Sequence, residues 1–415
     1  MNVGFIGLGK LGLPCALAVE SKGHNVIGYD ISETVQETIR SKKLPYKEIW
    51  AQDHLDKSNI KIKSVEDVVS HSEIIFVPIQ TPHDEKYEGI TRIPDDRVDF
   101  NYEWLKAGIK TLSDEIEKQG EDKVVIIIST VLPGTIEREI KPLLGSHTKL
   151  CYNPFFIAMG TTMRDFMNPE YVLFGVDDDE AAEKAQSLYS SIHDRPFYKT
   201  TIKNAELIKV AYNTFIGMKI VYANTMMEIC HKIGADVDAV TNAMSLATER
   251  LISGKYLSGG MGDGGGCHPR DNIAMSWLAK KLDLSYDFFE DLMLAREKQT
   301  DWLADVIEEN QMYNSPIYIL GKSFKPETNI QTGSPSILLK NILDERNVEC
   351  EIYDPYVDDK NNYDFKQGVY FIGTMHPDFN EFDFPIGSIV IDPWRYIDDT
   401  PGVTIIRVGG NNETN

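Results

Sequence analysis

A glycine-rich turn near the start of the chain constrains its fold more than any other feature. The residues Gly7-Leu8-Gly9-Lys10-Leu11-Gly12 follow an apolar run, Val3 to Ile6, and precede a run with helical character, Ala16 to Ser21. In a G-x-G-x-x-G turn between a strand and a helix, the first glycine makes the tight turn and the second lets a pyrophosphate approach the backbone. The third lets the helix pack closely on the strand. The pattern therefore predicts a dinucleotide-binding βαβ unit.

An acidic residue follows the second predicted strand of this unit, Asn25 to Tyr29. Asp30 stands eighteen positions after Gly12, where its carboxylate can accept hydrogen bonds from both ribose hydroxyls and would repel a 2′-phosphate. We therefore expect NAD rather than NADP as the cofactor. A glycine turn that binds no ligand is the less favoured alternative, because strand, turn, helix and acid occur together.

Strand and helix patterns alternate through the rest of the chain, which is typical of parallel sheets covered on both faces. From Asn204 to Lys232 there is no proline, and apolar residues on nearly every side predict one long helix buried all round. The further strands are expected at Ile74 to Val77, Val124 to Ile128, Thr148 to Tyr152, Tyr171 to Gly175, Ile317 to Leu320, Glu349 to Tyr353, Val369 to Ile372, Ser388 to Ile391 and Val403 to Val408. The predicted fold class is α/β, with two Rossmann-like domains joined by a long central helix and a helical region.

Composition argues against several classes of partner. With 64 acidic and 42 basic side chains, the chain has a formal net charge of -22, which repels phosphate backbones and anionic membranes. We expect neither nucleic acid nor membrane partners. No apolar run approaches the roughly 20 residues of a membrane span, and the glycine turn begins too early for a secretory signal, so a cytoplasmic protein is expected. The five cysteines lack the paired spacing of zinc sites, and no metal is expected.

One cysteine has a sequence context unlike that of a structural thiol. Cys267 ends a glycine cluster, Gly259 to Gly266, and is followed by Pro269, Arg270 and Asp271. Glycines there would let a substrate approach the sulfur, and a nearby cation would activate it as a nucleophile. Burial as a structural residue is the ordinary role of a cysteine. We expect it for Cys15, Cys151, Cys230 and Cys350.

Two polar residues share a face of the predicted long helix. Lys209 and Asn213 are four positions apart, a spacing that puts two side chains on the same side of a helix. A lysine on such an apolar helix is costly unless it has a partner. Either its ammonium lies near Cys267 and a developing alkoxide, or it extends to water at the end of the helix. The sequence leaves both interpretations open.

At these residues the chain resembles the UDP-glucose/GDP-mannose dehydrogenase family. The cysteine signature of that family, Gly-x-Gly-Gly-x-Cys-x-Pro-Lys-Asp, is matched by Gly262 to Asp271, with Arg270 in place of the lysine. The helix signature is matched by Ala205 to Lys209, with Asn213 and Phe215. Supporting matches extend over nearly the whole chain, at Val77 to Pro82, Ser129 to Val131, Pro133 to Thr135, Asp165 to Pro169, Phe324 to Pro326, Ser334-Pro335 and Tyr353 to Pro355.

The resemblance implies three domains and a homodimer. Residues 1–200 would be the NAD-binding Rossmann domain, and residues 201–313 the long helix and helical dimerisation region with the catalytic cysteine. Residues 314–415 would be the nucleotide-sugar-binding α/β domain. The implied reaction oxidises the C6 alcohol of a UDP- or GDP-linked sugar to the uronic acid, by two hydride transfers to NAD, through a thiohemiacetal and a thioester on Cys267. UDP-glucose is the first candidate, because Gly266 replaces the histidine usual before the cysteine in the N-acetylhexosamine branch.

The resemblance also implies roles for individual residues. The catalytic residues are expected to be Cys267, Lys209, Asn213, Asp271 and Thr130. The cofactor is expected to contact Gly7, Leu8, Gly9, Lys10, Leu11, Gly12, Asp30, Thr81, Ser129, Thr130 and Val131. The substrate is expected to contact Lys209, Asn213, Arg250, Gly264, Phe324 and Lys325, with Arg250 as the candidate arginine that reaches across the dimer.

The chain departs from the family pattern in the segment Asn153 to Gly160. Where the family has Asn-Pro-Glu-Phe-Leu-x-Glu-Gly, Phe155 and Met159 replace the two glutamates. The first of these serves in the family as acid/base for hydrolysis, and general-base help is worth typically about 10²–10⁴-fold. An apolar wall at this point is therefore expected to slow the release of the acid.

Three functions compete on this basis. The favoured one is a nucleotide-sugar dehydrogenase that transfers four electrons and hydrolyses its thioester with Asp271 and a water held by Lys209. The second is a two-electron oxidoreductase, or a slow enzyme that stalls before hydrolysis. The third is a non-catalytic protein that binds a nucleotide sugar or NAD. The joint presence of the glycine turn, Asp30, Lys209, Asn213 and Cys267 argues against the third.

Overall fold

The computed structural model describes residues 1–82, 84–92, 94–248, 256, 258–262, 265–283, 287–312 and 315–410. The chain forms two compact units. The first consists of Met1–Pro82 and Phe100–Ala211, and the second of His83–Asp99 and Tyr212–Asn415. Residues 83–99 thus interrupt the first unit in the chain but belong to the second.

The first unit is built on an eight-stranded sheet in the order β3-β2-β1-β4-β5-β6-β7-β8. The strands are β1 Asn2–Ile6, β2 Asn25–Tyr29, β3 Lys61–Ile62, β4 Ile74–Val77, β5 Lys123–Ile127, β6 Thr148–Tyr152, β7 Val172–Val176 and β8 Phe197–Thr200. The helices are α1 Gly12–Ser21, α2 Glu33–Ser41, α3 Ala51–Lys57, α4 Val65–His71, α5 Glu103–Gln119, α6 Thr162–Met167 and α7 Asp179–Ser190. A turn of π-helix covers Ile136–Ile140.

The centre of this sheet is apolar on both faces. Every residue of β4 and β5 is buried, as expected for strands covered by helices on both sides. Phe5 of β1 stacks on Phe76 of β4 with ring centroids 4.9 Å apart. Since the strand and helix faces meet here, this is where the core of the unit lies.

One pair of neighbouring strands departs from the predicted parallel sheet. β6 and β7 pair antiparallel, whereas every other neighbouring pair of this sheet is parallel. An apolar run predicts a buried strand but carries no information on its direction, which depends on the path of the connection between the strands. The predicted α/β class, with a mainly parallel sheet, is confirmed.

The second unit contains a five-stranded parallel sheet in the order β10-β9-β11-β12-β13. Its strands are β9 Ile317–Leu320, β10 Glu351–Tyr353, β11 Val369–Ile372, β12 Ile389–Asp392 and β13 Thr404–Arg407. The remaining helices of the chain are α8 Ile202–Ile233, α9 Val237–Ser245, α10 Cys267–Lys281, α11 Phe288–Glu309 and α12 Pro335–Glu345. The second sheet packs its apolar face on α11 and α12, through residues such as Leu303 and Leu338.

The long predicted helix is present as α8, which begins two residues before Asn204 and ends one residue after Lys232. Its residues up to Ala211 belong to the first unit and those from Tyr212 to the second. The prediction that it is buried all round is wrong for the single chain. Phe215 is 40% exposed and Tyr222 is 46% exposed. The prediction failed because apolar residues on every side of a helix indicate burial without indicating what covers each side.

Within the described ranges, no helix combines the length and the apolar character that crossing a bilayer would require.

Candidate active site

The glycine turn of the first unit has the geometry predicted for a pyrophosphate site. Gly7 has a φ of +111° and its N–H donates to the Tyr29 carbonyl at 2.8 Å. A Cβ at Gly12 would lie 2.2 Å from the Gly7 carbonyl oxygen, so α1 can begin this close to β1 only with glycine. A Cβ at Gly9 would have no heavy atom of the described chain within 4 Å. The backbone at Gly9 therefore faces open space.

The N-terminal end of α1 suits an anion. No described side chain caps this end, and its first turn contains no acidic residue. Backbone N–H groups and the helix dipole make such an end attractive to phosphate. Because Gly9 leaves the approach open, the residues present fit the pyrophosphate of NAD.

Asp30 lies beside the glycine turn and also supports it. Its Oδ2 accepts from the Leu8 N–H at 2.7 Å, and its Oδ1 accepts from the Ser32 N–H at 2.8 Å. The side chain is largely buried, with 9% of the residue exposed. A carboxylate has about four lone-pair sites, so these two bonds leave acceptor capacity for ribose hydroxyls. The structure thus gives Asp30 a second role that the sequence did not predict.

The loops after β4 and β5 are bonded to each other. Thr81 Oγ1 donates to the Thr130 carbonyl at 2.7 Å, and Ser129 Oγ donates to the Ile79 carbonyl. Thr81, Ser129 and Val131 are buried, whereas Thr130 is partly exposed. In the sheet order, β1 and β4 are neighbours where the chain direction switches sides, and ligands of doubly wound sheets bind at that point. Of these four residues, Thr130 has the most exposed side chain, and its contact with the cofactor stays a prediction.

In the second unit, Cys267 is the first residue of helix α10. Cys267 is exposed, whereas Cys15, Cys151 and Cys230 are buried and Cys350 is partly buried. Burial raises the pKa of Cys151 to about 12 and that of Cys350 to about 11, so both stay protonated and unreactive at neutral pH. Cys267 is the exposed cysteine predicted from its glycine-rich context.

A buried carboxylate lies one helical turn after the thiol. Asp271 is completely buried, and its two oxygens accept from Asn213 Nδ2 at 2.5 Å and from Arg270 Nε at 2.9 Å. Burial by itself would lower the pKa of Arg270, but the charges of Asp271 and Cys267 raise it above the usual range. Arg270 therefore stays cationic next to Asp271 and the thiol. A thiolate is stabilised by such a cation and by a helix N-terminus.

The glycines before Cys267 allow another loop to come close. A Cβ at Gly265 would lie 2.5 Å from the Phe324 ring, and a Cβ at Gly333 would lie 2.0 Å from the Gly266 nitrogen. The Nζ of Lys325 lies 5.5 Å from the centroid of the Phe324 ring. The predicted substrate residues Phe324 and Lys325 thus lie beside the turn that carries the thiol.

Residues 1–193 match the UDP-glucose/GDP-mannose dehydrogenase family, NAD binding domain, and residues 203–296 match the central domain of the same family. The chain belongs to this family. The resemblance stated from the sequence is confirmed, and so is NAD as the cofactor.

Relatives within the UDP-glucose/GDP-mannose dehydrogenase family align over most of their length. The chain is 27% identical over 367 residues to the UDP-glucose 6-dehydrogenase TuaD of Bacillus subtilis, covering 85% of this chain and 76% of that protein. It is 26% identical over 371 residues to the GDP-mannose 6-dehydrogenase of Pseudomonas aeruginosa, covering 86% of this chain and 82% of that protein. The chain is thus an NAD-dependent nucleotide-sugar dehydrogenase.

A solved structure has the same fold as this nucleotide-sugar dehydrogenase. It is a UDP-glucose dehydrogenase from Pyrobaculum islandicum, with a TM-score of 0.85 and 24% sequence identity, covering 99% of this chain and 98% of that one.

In the segment where Phe155 and Met159 stand in place of the glutamates expected from the resemblance, aromatic side chains pack within the first unit. Phe155 is partly buried with its ring 5.4 Å from that of Phe166, and it packs against the core of the first unit. Phe156 packs on Tyr171 at 5.0 Å, and Lys209 Nζ lies 5.5 Å from the centroid of the Phe156 ring. Lys209 is only 7% exposed, so in this structure it does not extend to water.

The sequence did not predict a role for Glu206, although this residue lies inside the helix signature. Its side chain is completely buried and accepts from the Gly134 N–H at 2.5 Å and the Ile136 N–H at 2.7 Å. Burial raises the pKa of Glu206, while these two hydrogen bonds oppose the rise. Glu206 thus holds the loop after β5 to α8. A glutamate on an otherwise apolar helix was the available signal.

The predicted site residues divide between the two units. The cofactor-binding residues, Thr130 and Lys209 belong to the first unit, whereas Cys267, Asn213, Asp271, Phe324 and Lys325 belong to the second. Arg250 and Gly264 lie outside the described residues. The roles of all these residues remain predictions.

Proposed function

We propose that this chain oxidises the C6 alcohol of a nucleotide-linked sugar, with UDP-glucose as the first candidate, to the uronic acid through a covalent intermediate on Cys267. The observation that carries the proposal is the exposed thiol at the first residue of α10, next to the cation Arg270 and the buried Asp271. The names of the relatives in Bacillus and Pseudomonas support a UDP- or GDP-linked hexose as the substrate class.

The proposed reaction has two oxidations and one hydrolysis. The alcohol first loses a hydride and a proton to become an aldehyde. The thiolate of Cys267 adds to the aldehyde carbon, and the resulting anionic thiohemiacetal loses a second hydride to become a thioester. Attack of water on the thioester carbon breaks the C–S bond, releases the acid as its carboxylate, returns the thiolate and gives two protons to the solvent. When bound, NAD supplies the hydride acceptor, so two NAD are reduced for each sugar.

The residues of the chain supply orientation and charge for these steps. Gly9 and the N-terminal end of α1 would hold the pyrophosphate, and Asp30 the ribose. Asp271, which accepts a hydrogen bond from Arg270, also accepts one from the amide of Asn213 and orients it. Lys209 and Asn213 are proposed to stabilise the oxygen that becomes negative when the thiolate or water attacks. Thr130, Phe324, Lys325, Arg250 and Gly264 are proposed to contact the cofactor or the sugar nucleotide.

A second candidate, an enzyme that stalls before hydrolysis, is favoured by the packing of Phe155. Its ring joins the core of the first unit against Phe166. The position thus supplies no carboxylate to activate water. The reaction would then end at the aldehyde, or the thioester would accumulate because its hydrolysis is slow.

The test is to count NADH formed per sugar. The purified chain is incubated with NAD and a limiting amount of each member of a panel of UDP- and GDP-linked hexoses, and absorbance at the NADH band is followed to completion. We expect two NADH per UDP-glucose. One NADH per sugar would identify the two-electron reaction, and none with any sugar would refute the proposed activity.

We further infer a homodimer formed through α8, with the three domains predicted from the sequence, residues 1–200, 201–313 and 314–415. The exposed Phe215 and Tyr222 support the dimer, because they are seven positions apart and so lie on one side of the helix. The cytoplasmic location remains a prediction from the sequence.

A further inference from the structure

One segment of the chain lies between Met1–Pro82 and Phe100–Ala211, the two stretches that form the first unit, but it packs with the second unit. Residues 84–92 and 94–99, here called the strap, follow Pro82 and precede Phe100 in the chain. The Asn101 N–H donates to the Pro82 carbonyl at 3.1 Å, which closes the base of the strap. An inserted segment of this length is ordinarily a solvent-exposed loop, so its contacts need a physical explanation.

The strap begins with a buried aromatic anchor. Tyr87, at the end of the short 3-10 helix Glu85–Tyr87, is 4% exposed and packs in an apolar cluster with Val221, Ile273 and Leu292. Its hydroxyl donates to Asp96 Oδ2 at 2.5 Å, so the anchor also ties the two halves of the strap together. Ile273 belongs to α10, and the strap therefore contacts the helix that carries the thiol.

The middle of the strap lies against the first turn of α10. Gly89 has a φ of +74°, and a Cβ at this position would lie 2.6 Å from Cγ of Pro269, two residues after Cys267. The Gly89 carbonyl accepts from Nη2 of Arg296 at 2.5 Å, and Arg296 is 1% exposed. The close approach of the strap to Pro269 thus requires glycine, and a buried arginine keeps it in place.

Ionic contacts hold the rest of the strap on α11 and α12. Arg92 donates to both oxygens of Asp301, at 3.0 and 2.7 Å, and to Glu345 at 2.9 Å. Hydrogen bonds from Arg92 to Asp301 and Glu345 raise the pKa of the arginine, and Asp301 has a lowered pKa for the same reason. Arg97, with 4% of its side chain exposed, donates to Glu290 at 3.1 Å. The bidentate pair of Arg92 with Asp301 defines geometry as well as adding energy.

The first turn of α10 needs this support. The residue before it is Gly266, and no described side chain caps the start of the helix. The turn is instead held by packing, with Phe324 and Gly333 against Gly265 and Gly266, and with the strap against Pro269. A reacting thiol must be placed to within a fraction of an ångström, because a displacement of about 1 Å can cost on the order of 10²-fold in rate.

We propose that the strap is a positioning element that sets the place of the Cys267 thiol through the contact of Gly89 with Pro269. The proposal rests on the proposed function in that Cys267 is taken as the nucleophile. Gly89 and Arg92 do not touch the reacting atoms, so they are positioning residues.

The test compares Gly89→Ala with Gly120→Ala. Both glycines have a similar positive φ, +74° and +70°, but a Cβ at Gly120 would meet no described heavy atom within 4 Å. The backbone strain of the two variants is therefore similar, and only Gly89→Ala displaces Pro269. We expect kcat to fall on the order of 10²-fold in Gly89→Ala relative to Gly120→Ala. The alkylation rate of Cys267 by iodoacetamide should fall as well, while the Kd for NAD stays unchanged.

A second pair of variants covers the case in which Gly89→Ala does not fold. Arg92→Ala removes the ion pairs that the strap makes with Asp301 and Glu345. Its control, Arg40→Ala, removes an exposed arginine that pairs with Glu37. We expect only Arg92→Ala to lower kcat and slow the alkylation of Cys267. Equal kcat and equal alkylation rates within the folded pairs would overturn the proposal. A wild-type chain that reduces no NAD with any sugar would refute the proposed function instead, and the alkylation rates would still test the strap.

Discussion

Cys267 differs from the other cysteines of the chain in two ways that bear on its chemistry. It is exposed, and the cation Arg270 follows three residues later, where it bonds to the buried Asp271. Cys350, by contrast, is half buried and its thiol is kept protonated by the raised pKa. Exposure together with positive charge is the environment of a nucleophilic thiol rather than of a structural one.

The first prediction at this scale concerns Cys267→Ser. A serine hydroxyl without a strong base is a far poorer nucleophile than a thiolate, so acid formation should fall by several orders of magnitude. NAD binding should be unchanged, because the glycine turn belongs to the first unit. Acid is measured by chromatography and NAD binding by fluorescence titration, with Cys350→Ser as the control that keeps activity. Acid formed by Cys267→Ser at the wild-type rate would exclude the covalent scheme.

The second prediction concerns Asp30, which bonds both to the turn and, as proposed, to the ribose. Loss of hydrogen bonds from ribose hydroxyls to a charged group should weaken NAD binding by roughly 10- to 100-fold in Asp30→Ala. NADP binding should change less, because the carboxylate repels the 2′-phosphate. Asp30→Asn retains an oxygen that can accept from Leu8 and so separates loop support from charge. The idea fails if the wild-type chain binds NAD and NADP equally well.

Two glycines of the turn before α1 have different surroundings. Gly12 lets α1 pack against the Gly7 carbonyl, whereas Gly9 faces open space. The first is a requirement of the fold, and the second is proposed to be a requirement of the ligand. The same distinction between support and contact is proposed for two residues of α8: Glu206 holds a loop to the helix, whereas Lys209, three residues later, is proposed to contact the substrate.

The paired variants Gly12→Ala and Gly9→Ala test this division. In Gly12→Ala the new methyl group would overlap the Gly7 carbonyl, and such overpacking costs about 1–3 kcal/mol. The Tm should therefore fall by several degrees. Gly9→Ala should leave the Tm within about one degree of wild type, since nothing is crowded, but should weaken NAD binding as the methyl group obstructs the pyrophosphate. The division is wrong if Gly9→Ala binds NAD like the wild type.

At the scale of the whole molecule, each of the two units contains a variant of the same sheet. The order β10-β9-β11-β12-β13 in the second corresponds to β2-β1-β4-β5-β6 in the first. Gly321 after β9 has a φ of +109° and donates to the Tyr353 carbonyl, as Gly7 donates to Tyr29. The equivalent of Asp30 is Asp354, which accepts from the Lys322 and Ser323 N–H groups.

The two acidic residues differ in what else they contact. Asp354 is completely buried and bonded to His376 at 3.1 Å. Burial would raise its pKa, but the bond to His376 and the backbone donors lower it to about 2. The oxygens of Asp354 are therefore occupied by hydrogen bonds within the second unit, whereas Asp30 can accept further hydrogen bonds from a ligand.

The prediction at this scale concerns the proposed dimer. Burying an aromatic side chain contributes about 1.5–3 kcal/mol, and a two-fold interface uses each residue twice. Phe215→Glu and Tyr222→Glu should each shift the chain to monomers in analytical ultracentrifugation. Trp104→Glu, on α5 and 56% exposed, is the control that should remain dimeric. A wild-type chain that sediments as a monomer at micromolar concentration would exclude the dimer.

The features that neighbouring residues encode could be predicted from the amino-acid sequence. The glycine turn, Asp30, the length of α8 and most strands follow from residues a few positions apart, because turns and helical or strand periodicity are local properties. The exposure of Cys267 also agrees with its local sequence, because the cysteine follows a run of glycines where a structural thiol would be poorly packed.

Which distant residues meet depends on the folding of the whole chain and could not be predicted from local patterns. The antiparallel direction of β7, the exposed face of α8, the bonds of Glu206 and the strap on Pro269 depend on how separate segments pack, and no local pattern specifies this. The contact between Gly89 and Pro269 joins positions 180 residues apart. Such contacts follow from burying one common core, so they become visible only when the whole chain is folded.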